Sequence, residues 1–169
     1  MSGEVKNISL VEIKLGGLMS DGKTHDLFIW ATAPLVGLGV YAFVPEQKIE
    51  SAITAIAGHL IGGLMLSPDL DLPSRPWRRW GWFRIVWIPY QKITRHRGVS
   101  HAPFIGMLLR VLYLALPVIA FVIYRGMDQW VLLFLQAHWT AIVIFWLGLE
   151  LSVWVHLALD GILIKKLRG

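Results

Sequence analysis

The sequence predicts an all-α integral membrane protein: a helical bundle of about four transmembrane helices with a membrane-surface loop rich in aromatic and basic residues. Three observations predict it. Of 169 residues, 56% are hydrophobic and only 16% charged, with a mean hydropathy of +0.59, a balance that soluble domains do not reach. The apolar residues fall in four runs, each near or above the roughly 18 to 20 residues that a hydrocarbon core of about 30 Å requires. Between the second and third runs, tryptophans and arginines mix in one stretch, the pattern of chain lying at headgroup depth.

Residues 1–26 mix polar and apolar types, and Gly16, Gly17, Asp21 and Gly22 interrupt any long helix. Glu4, Glu12, Asp21 and Asp26 precede the first apolar run, which argues against a cleaved signal peptide. Thr24 or Asp26 is expected to cap the first span, residues 27–44, which Pro45-Glu46-Gln47-Lys48 ends in a turn. The second span, residues 51–66, is rich in Gly and Ala (Ala52, Ala55, Ala57, Gly58, Gly62, Gly63), suited to close approach of neighbouring helices, and stops at Ser67-Pro68. Residues 67–103 read as an interfacial cytoplasmic loop. It holds Arg75, Arg78, Arg79, Arg84, Lys92, Arg95 and Arg97 beside Trp77, Trp80, Trp82, Phe83, Trp87 and Tyr90, with rings at headgroup depth and guanidiniums toward lipid phosphate. The third span, residues 104–124, contains Arg110 and Pro117. The fourth, residues 130–159, is about 45 Å long as a helix and so is expected to tilt or to project from the bilayer. Residues 1–169 make one domain.

The formal charge of +5 raises a nucleic-acid partner, but the basic residues cluster beside apolar segments and point to membrane lipids instead. The basic loop and the Lys165-Lys166-Leu167-Arg168 tail belong inside by the positive-inside rule, so both termini are expected in the cytoplasm. The chain has no cysteine, which excludes disulfides and thiolate metal sites and leaves His and carboxylate as the strong metal ligands.

On this topology the ionisable groups collect at one end of the bundle. His25 lies at the inner end of span one, Asp69 and Asp71 at that of span two, His96 and His101 just before span three, and His156 and Asp160 at the end of span four. Ionisable groups persist in a membrane protein where they pair, face water or hold an ion, so this convergence points to a metal. His156 and Asp160 stand four apart on one helical face. Asp69-Leu70-Asp71 offers two carboxylates on one side of an extended segment. In His96-Arg97-Gly98-Val99-Ser100-His101, Gly98 permits the turn that aims both imidazoles inward, and Arg97 is suited to hold an anionic group bidentately. His59, roughly 15 Å or less from Asp69 along the helix, is expected to point into the bundle beneath the same site. His138 lies about 27 Å from His156 and is expected outside it. Glu150 reads either as an orienting group for the site or as a packing partner of Arg110.

Plainer readings stand beside these. His25 could cap a helix, His59 could be a packing histidine, and Asp69 and Asp71 could end a span and pair with Arg75 or Arg78.

Thr24-His25, the run from Gly58-His59-Leu60 to Asp69-Leu70-Asp71, the His96 to His101 segment, and His156 with Asp160 resemble a bacterial family of metal-binding membrane proteins. They also resemble the broader LexA-regulated inner-membrane metal-dependent hydrolases. The resemblance implies metal binding and hydrolysis at the bacterial inner membrane. A looser similarity, of helical bundle and His-x-x-x-Asp ligands, is to zinc-dependent phospholipase C.

The leading expectation is therefore a hydrolase at the cytoplasmic membrane face with a divalent metal, Zn²⁺ favoured, as one or two ions. His25, His59, Asp69, Asp71, His96, His101, His156 and Asp160 are its candidate ligands. Asp71 is expected to serve as general base and Arg97 to position an anionic small-molecule or lipid substrate. A non-enzymatic metal-binding protein is the alternative, a transporter ranks third because the candidates sit at one end rather than at midplane depth, and a structural membrane protein fourth.

Overall fold

The computed structural model describes residues 22–45, 47–94 and 98–161. Among them the chain is helical, with no strand, and four of its helices are long and apolar enough to cross a membrane. The helices are α1 (Gly22–Phe43), α2 (Lys48–Leu64), the short α3 (Arg75–Arg79) and α4 (Trp87–Ile93), α5 (Ile105–Tyr124) and α6 (Asp128–Leu159). Three 3₁₀ turns, Pro68–Asp71, Gly81–Val86 and Val99–His101, complete the chain between α2 and α5.

Two expectations about α1 and α6 are revised. Helix α1 already includes Gly22 to Asp26, so Thr24 and Asp26 lie inside it rather than capping it, and His25 rides on its first described turns. Helix α6 runs 32 residues but breaks at His138, whose φ of −119° and ψ of 15° leave the helical region. The break divides an outer segment from the inner one that reaches the polar end of the bundle.

The bundle is held by α2, which lies against α1 on one side and α6 on the other. Its small residues let backbones touch. A Cβ added at Gly58 would stand 2.2 Å from the Phe145 carbonyl oxygen, and one at Gly148 would stand 2.3 Å from that of Ala55. The Gly58 and Gly62 pair thus serves packing within the chain. Gly148→Ala is expected to destabilise the fold by about 1–3 kcal/mol, because backbone cannot yield as a side chain does. Gly39→Ala, with nothing within 4 Å of the added carbon, is expected to be silent. Unfolding midpoints of the two variants in detergent check the contrast.

Polar groups are inside and apolar ones outside over much of the molecule. His59, Ser67, Asp71, Ser100, His101, Arg110, Glu150, Ser152 and His156 are buried, whereas Leu35, Leu38, Leu116, Ile119, Leu133 and Trp139 are exposed. The apolar core sits at the polar end of the bundle, where Leu66, Leu70, Trp87, Tyr90 and Met107 meet Leu149, Val153 and Leu157 of α6.

The chain between α2 and α5 corrects the reading of residues 67–103 as a surface loop. Its described residues, 67–94 and 98–103, form a folded cap of short helices, and two of the six expected surface rings join the core: Trp87 is fully buried and Tyr90 nearly so. They stand three apart on α4, so one face of that helix carries both inward. Trp80 Nε1 donates to the Met65 carbonyl at 2.9 Å, tying the cap to the end of α2. Trp82, Phe83 and Ile85 remain exposed at the outer edge.

Candidate metal centre

Four segments deliver side chains to one pocket. The first turns of α1 bring His25, the last turn of α6 brings His156 with Asp160 at its C-cap, and two 3₁₀ turns bring Asp69, Asp71 and His101. Pro68 occupies the first position of its 3₁₀ turn, where its missing N–H costs nothing, and the Ser67 hydroxyl accepts from the Asp69 amide. Ser74 Oγ donates to the Asp69 carbonyl at 2.7 Å, which closes the turn from the other side. Ser100 Oγ donates to the Pro68 carbonyl at 2.8 Å and so joins the aspartate turn to the histidine turn.

The donor atoms converge. His156 Nε2 lies 3.5 Å from Asp69 Oδ1 and 3.4 Å from Asp160 Oδ2. His101 Nε2 lies 3.7 Å from that same oxygen of Asp69 and 3.9 Å from that of Asp160. Ligands about 2.0–2.2 Å from a tetrahedral ion stand about 3.3–3.6 Å from one another, so these four separations are close to those that ligands of one ion require. His156 Nε2 is buried and makes no hydrogen bond, although two carboxylate oxygens flank it. An imidazole nitrogen that faces two carboxylate oxygens without a well-aligned hydrogen bond is one that a metal ion could use as a ligand. Among the described residues two overlapping ligand groups result, His25 with His156 and Asp160, and Asp69 with His101 and His156. His156 belongs to both.

The surroundings orient these ligands. His25 Nε2 donates to Asp160 Oδ1 at 3.0 Å, and its ring stacks on that of His156 with centroids 4.3 Å apart. Ser67 Oγ stands 3.5 Å from His156 Nδ1, on the far side of the ring from the carboxylates. Burial opposes ionisation of Asp160, but the close approach of His156, the hydrogen bond from His25 and the charge of those rings outweigh it and hold the carboxyl well below the usual range. Asp160 is thus an anion, ready to ligate, well into the acid range. The Asp69 side chain is 26% exposed, against 3–4% for His101 and His156, so the pocket opens to water beside it.

The structure separates the two aspartates that the sequence placed on one side of an extended segment. In a 3₁₀ turn positions two apart point in different directions, so Asp69 faces the Nε2 edges of His101 and His156 while Asp71 Oδ2 lies 3.8 Å from His101 Nδ1. The Asp71 side chain is fully buried behind the His101 ring, the relation of a carboxylate that orients a metal-ligating imidazole rather than of a base that reaches solvent. Asp71→Asn is expected to weaken metal affinity about 10- to 100-fold while leaving the site able to fill at high metal. Competition with a chromogenic zinc chelator measures that ratio.

His59 is buried between α1 and α6 with its Nε2 2.8 Å from Thr32 Oγ1, and it is in neither ligand group. Asp26, one residue from His25, takes Arg75, which the plainer sequence reading offered to Asp69 or Asp71, at 3.2 Å, and Arg79 bonds it still more closely. Glu150 Oε2 accepts the Phe104 amide at 3.1 Å, which holds a tight turn where Phe104 has φ of 62° and the Ile105 amide bonds the Pro103 carbonyl. His138 is remote, with its ring on Phe134. His96, Arg97 and Arg95 lie outside the described residues. Sequence reasoning missed Ser67 and Ser100. The hydroxyls flank the aspartate and histidine motifs directly, and only that adjacency could have singled them out.

A family model described as uncharacterized metal-binding protein (DUF2227) matches residues 20–168, nearly the whole chain. The chain belongs to this family. Its residues 20–168 include every segment that contributes to the pocket, so the metal-binding description of the family and the convergence of His and Asp donors fall on the same stretch. An uncharacterized protein of Aquifex aeolicus is 47% identical over 58 residues, 34% of this chain and 41% of that protein, so the two share less than half of either length. No solved structure matches the chain.

Proposed function

We propose that this family member is a four-span membrane protein of the bacterial inner membrane, with both termini cytoplasmic, that binds zinc in the His/Asp pocket and hydrolyses an ester there. The apolar exterior and polar interior of the bundle support insertion, since exposed leucines and tryptophans are stable against lipid and buried charge is stable only when paired. The basic cap residues Arg75, Arg78, Arg79, Arg84 and Lys92 support a cytoplasmic site.

One observation carries the metal reading: a buried imidazole nitrogen, His156 Nε2, without a hydrogen bond and 3.4–3.5 Å from oxygens of two separate carboxylates. Imidazole and carboxylate without thiolate favour zinc among the borderline ions. When bound, such an ion supplies Lewis acidity and an acidified water at neutral pH. The residues of the chain supply the rest. Asp69, His101 and His156 would hold the ion and leave its fourth position to water, His25 pairs with Asp160 beside them, and Asp71 would orient His101. Asp69 lies at the mouth of the pocket, where such a water would have access, whereas Asp71, to which the sequence assigned the general base, is buried behind His101. The resemblance to the metal-dependent inner-membrane hydrolases supports hydrolysis as the reaction.

Purified protein in detergent is expected to carry about one to two equivalents of zinc and to cleave at least one member of a panel of chromogenic phosphodiesters, phosphomonoesters and carboxyl esters. Cleavage should stop on chelation and return with added zinc. Metal-free protein after zinc supplementation would end the reading. A metal-holding role without catalysis is the second reading, favoured by the near-complete burial of His101 and His156, which leaves one carboxylate at the solvent edge. Stoichiometric zinc without turnover across the panel selects it.

A further inference from the structure

Beside the metal pocket the cap and α1 border a shallow, open hollow of about 560 Å³ lined by Lys23, Arg75, Arg78 and Arg79. Four cations face it, and among the described residues one carboxylate, that of Asp26, pairs with its arginines. Two of the three arginines, Arg75 and Arg79, are held by the fold. Arg79 Nη1 donates to the Leu64 carbonyl at the end of α2 at 2.9 Å, while its Nη2 bonds Asp26. The stem of Arg75 lies across Gly22, where an added Cβ would meet its Cδ at 2.8 Å, and its Nη2 reaches the same Asp26 oxygen. Arg78, exposed, makes no ion pair among the described residues. Asp26 is the neighbour of His25 on α1, so the rim of the hollow and the metal pocket are one residue apart along the same helix.

We propose that this hollow is a binding site for a phosphate-type anion and that it docks the phosphate of a substrate against the metal centre. The substrate assignment rests on the hydrolase reading, whereas the anion site stands on the hollow alone. Two features select phosphate over a simple carboxylate. Three arginines against the carboxylate of Asp26 leave an excess of two positive groups among the described residues, which matches a dianion, and their guanidinium forks match phosphate oxygens through the N–H groups that Asp26 leaves unused. Holding Arg75 and Arg79 on Asp26 orders these forks before the ligand arrives, which lowers the entropy lost on binding. A hollow at the cytoplasmic rim is reachable both by lipid headgroups and by soluble phosphate esters, and they present the same group.

The test uses the full chain in phosphatidylcholine nanodiscs, titrated with inorganic phosphate by calorimetry. Arg75→Ala with Arg78→Ala is expected to weaken phosphate binding about 100-fold, a factor of roughly ten for each cation removed, and to leave the zinc content unchanged. His156→Ala is expected to lose zinc yet bind phosphate within about threefold of the parent, since the hollow does not use the ion. Should the double variant fail to give folded protein, Arg78→Glu alone, at an exposed position, is expected to weaken binding at least tenfold. Unchanged phosphate affinity in the arginine variants overturns the proposal, as does loss of phosphate binding in His156→Ala, which would assign the anion to the metal. Phosphatidic acid added to the nanodisc assigns the site to a lipid headgroup if it competes with phosphate, and to a soluble ester if it does not. Phosphate binding by a parent protein that takes up no zinc leaves the anion site standing and sinks the hydrolase reading.

Discussion

His156→Ala empties the metal site: bound zinc is expected to fall from about one or two equivalents to below a tenth of an equivalent after dialysis, read by elemental analysis of the purified protein. The size of the effect follows from the position of the ring. His156 is in both ligand groups, its Nε2 is adjacent to both Asp69 and Asp160, and its ring supports that of His25 by stacking. Removing it also leaves two carboxylates facing one another across a cavity without the ring between them. His59→Ala, from a histidine as deeply buried but bonded to Thr32, is expected to cost stability and retain zinc. Equal zinc loss in the two variants would mean that general destabilisation, not ligation, explains the effect. Acid acts in the same direction as the substitution. Imidazole ligates only when neutral, so affinity falls as pH falls. Because its histidine partners keep the Asp160 carboxyl ionised well into the acid range, protonation of this carboxylate is not what begins the loss.

Arg110→Met is expected to produce the second large effect, about 3–5 kcal/mol of lost stability together with a 10- to 100-fold fall in metal affinity. Arg110 is fully buried on α5 and donates from Nη1 to the Ser100 carbonyl at 2.8 Å, with Ser100 Oγ at 3.4 Å. Ser100 precedes His101 and bonds Pro68, so one guanidinium braces both 3₁₀ turns that carry ligands. Methionine fills much of the volume but leaves the Ser100 carbonyl without its donor and Glu150 without a nearby buried cation. Arg110→Lys keeps the charge and loses the fork, and should fall between the two. Thermal unfolding in detergent and chelator competition read the two consequences separately. A methionine variant with parental zinc affinity would show that the turns hold their shape without the brace.

Much of the helical architecture was legible because hydropathy and breaker residues act locally. The runs ending at Pro45-Glu46, Ser67-Pro68 and Arg125-Gly126 became helices ending within a few residues of those points. The cap was not legible. Trp87 and Tyr90 have the composition of an interfacial belt, and only the turn of α4 determines that their face is inward while Trp82 stays outside. The site was legible as a set of residues at one end of the bundle, since span direction alone places His25, Asp69, His101, His156 and Asp160 together. Their division of labour was not. Asp69 and Asp71 are two residues apart, and an extended segment and a 3₁₀ turn send the second carboxylate to opposite ends of the same imidazole.

By itself, then, the amino-acid order determined that the chain forms long apolar helices and that its metal-competent side chains gather at one end. Both follow from the spacing of apolar runs and the polarity of their ends, which depend on residues close in sequence. Tertiary structure alone decided that His156 is shared by two ligand groups, that Asp71 stands behind His101, that His59 bonds Thr32, and that Asp26 gathers Arg75 and Arg79. Each of those choices depends on distances of a few ångströms between segments far apart in the chain. Contacts such as Gly58 against Phe145 and Gly148 against Ala55 set the helix spacing within which they are made.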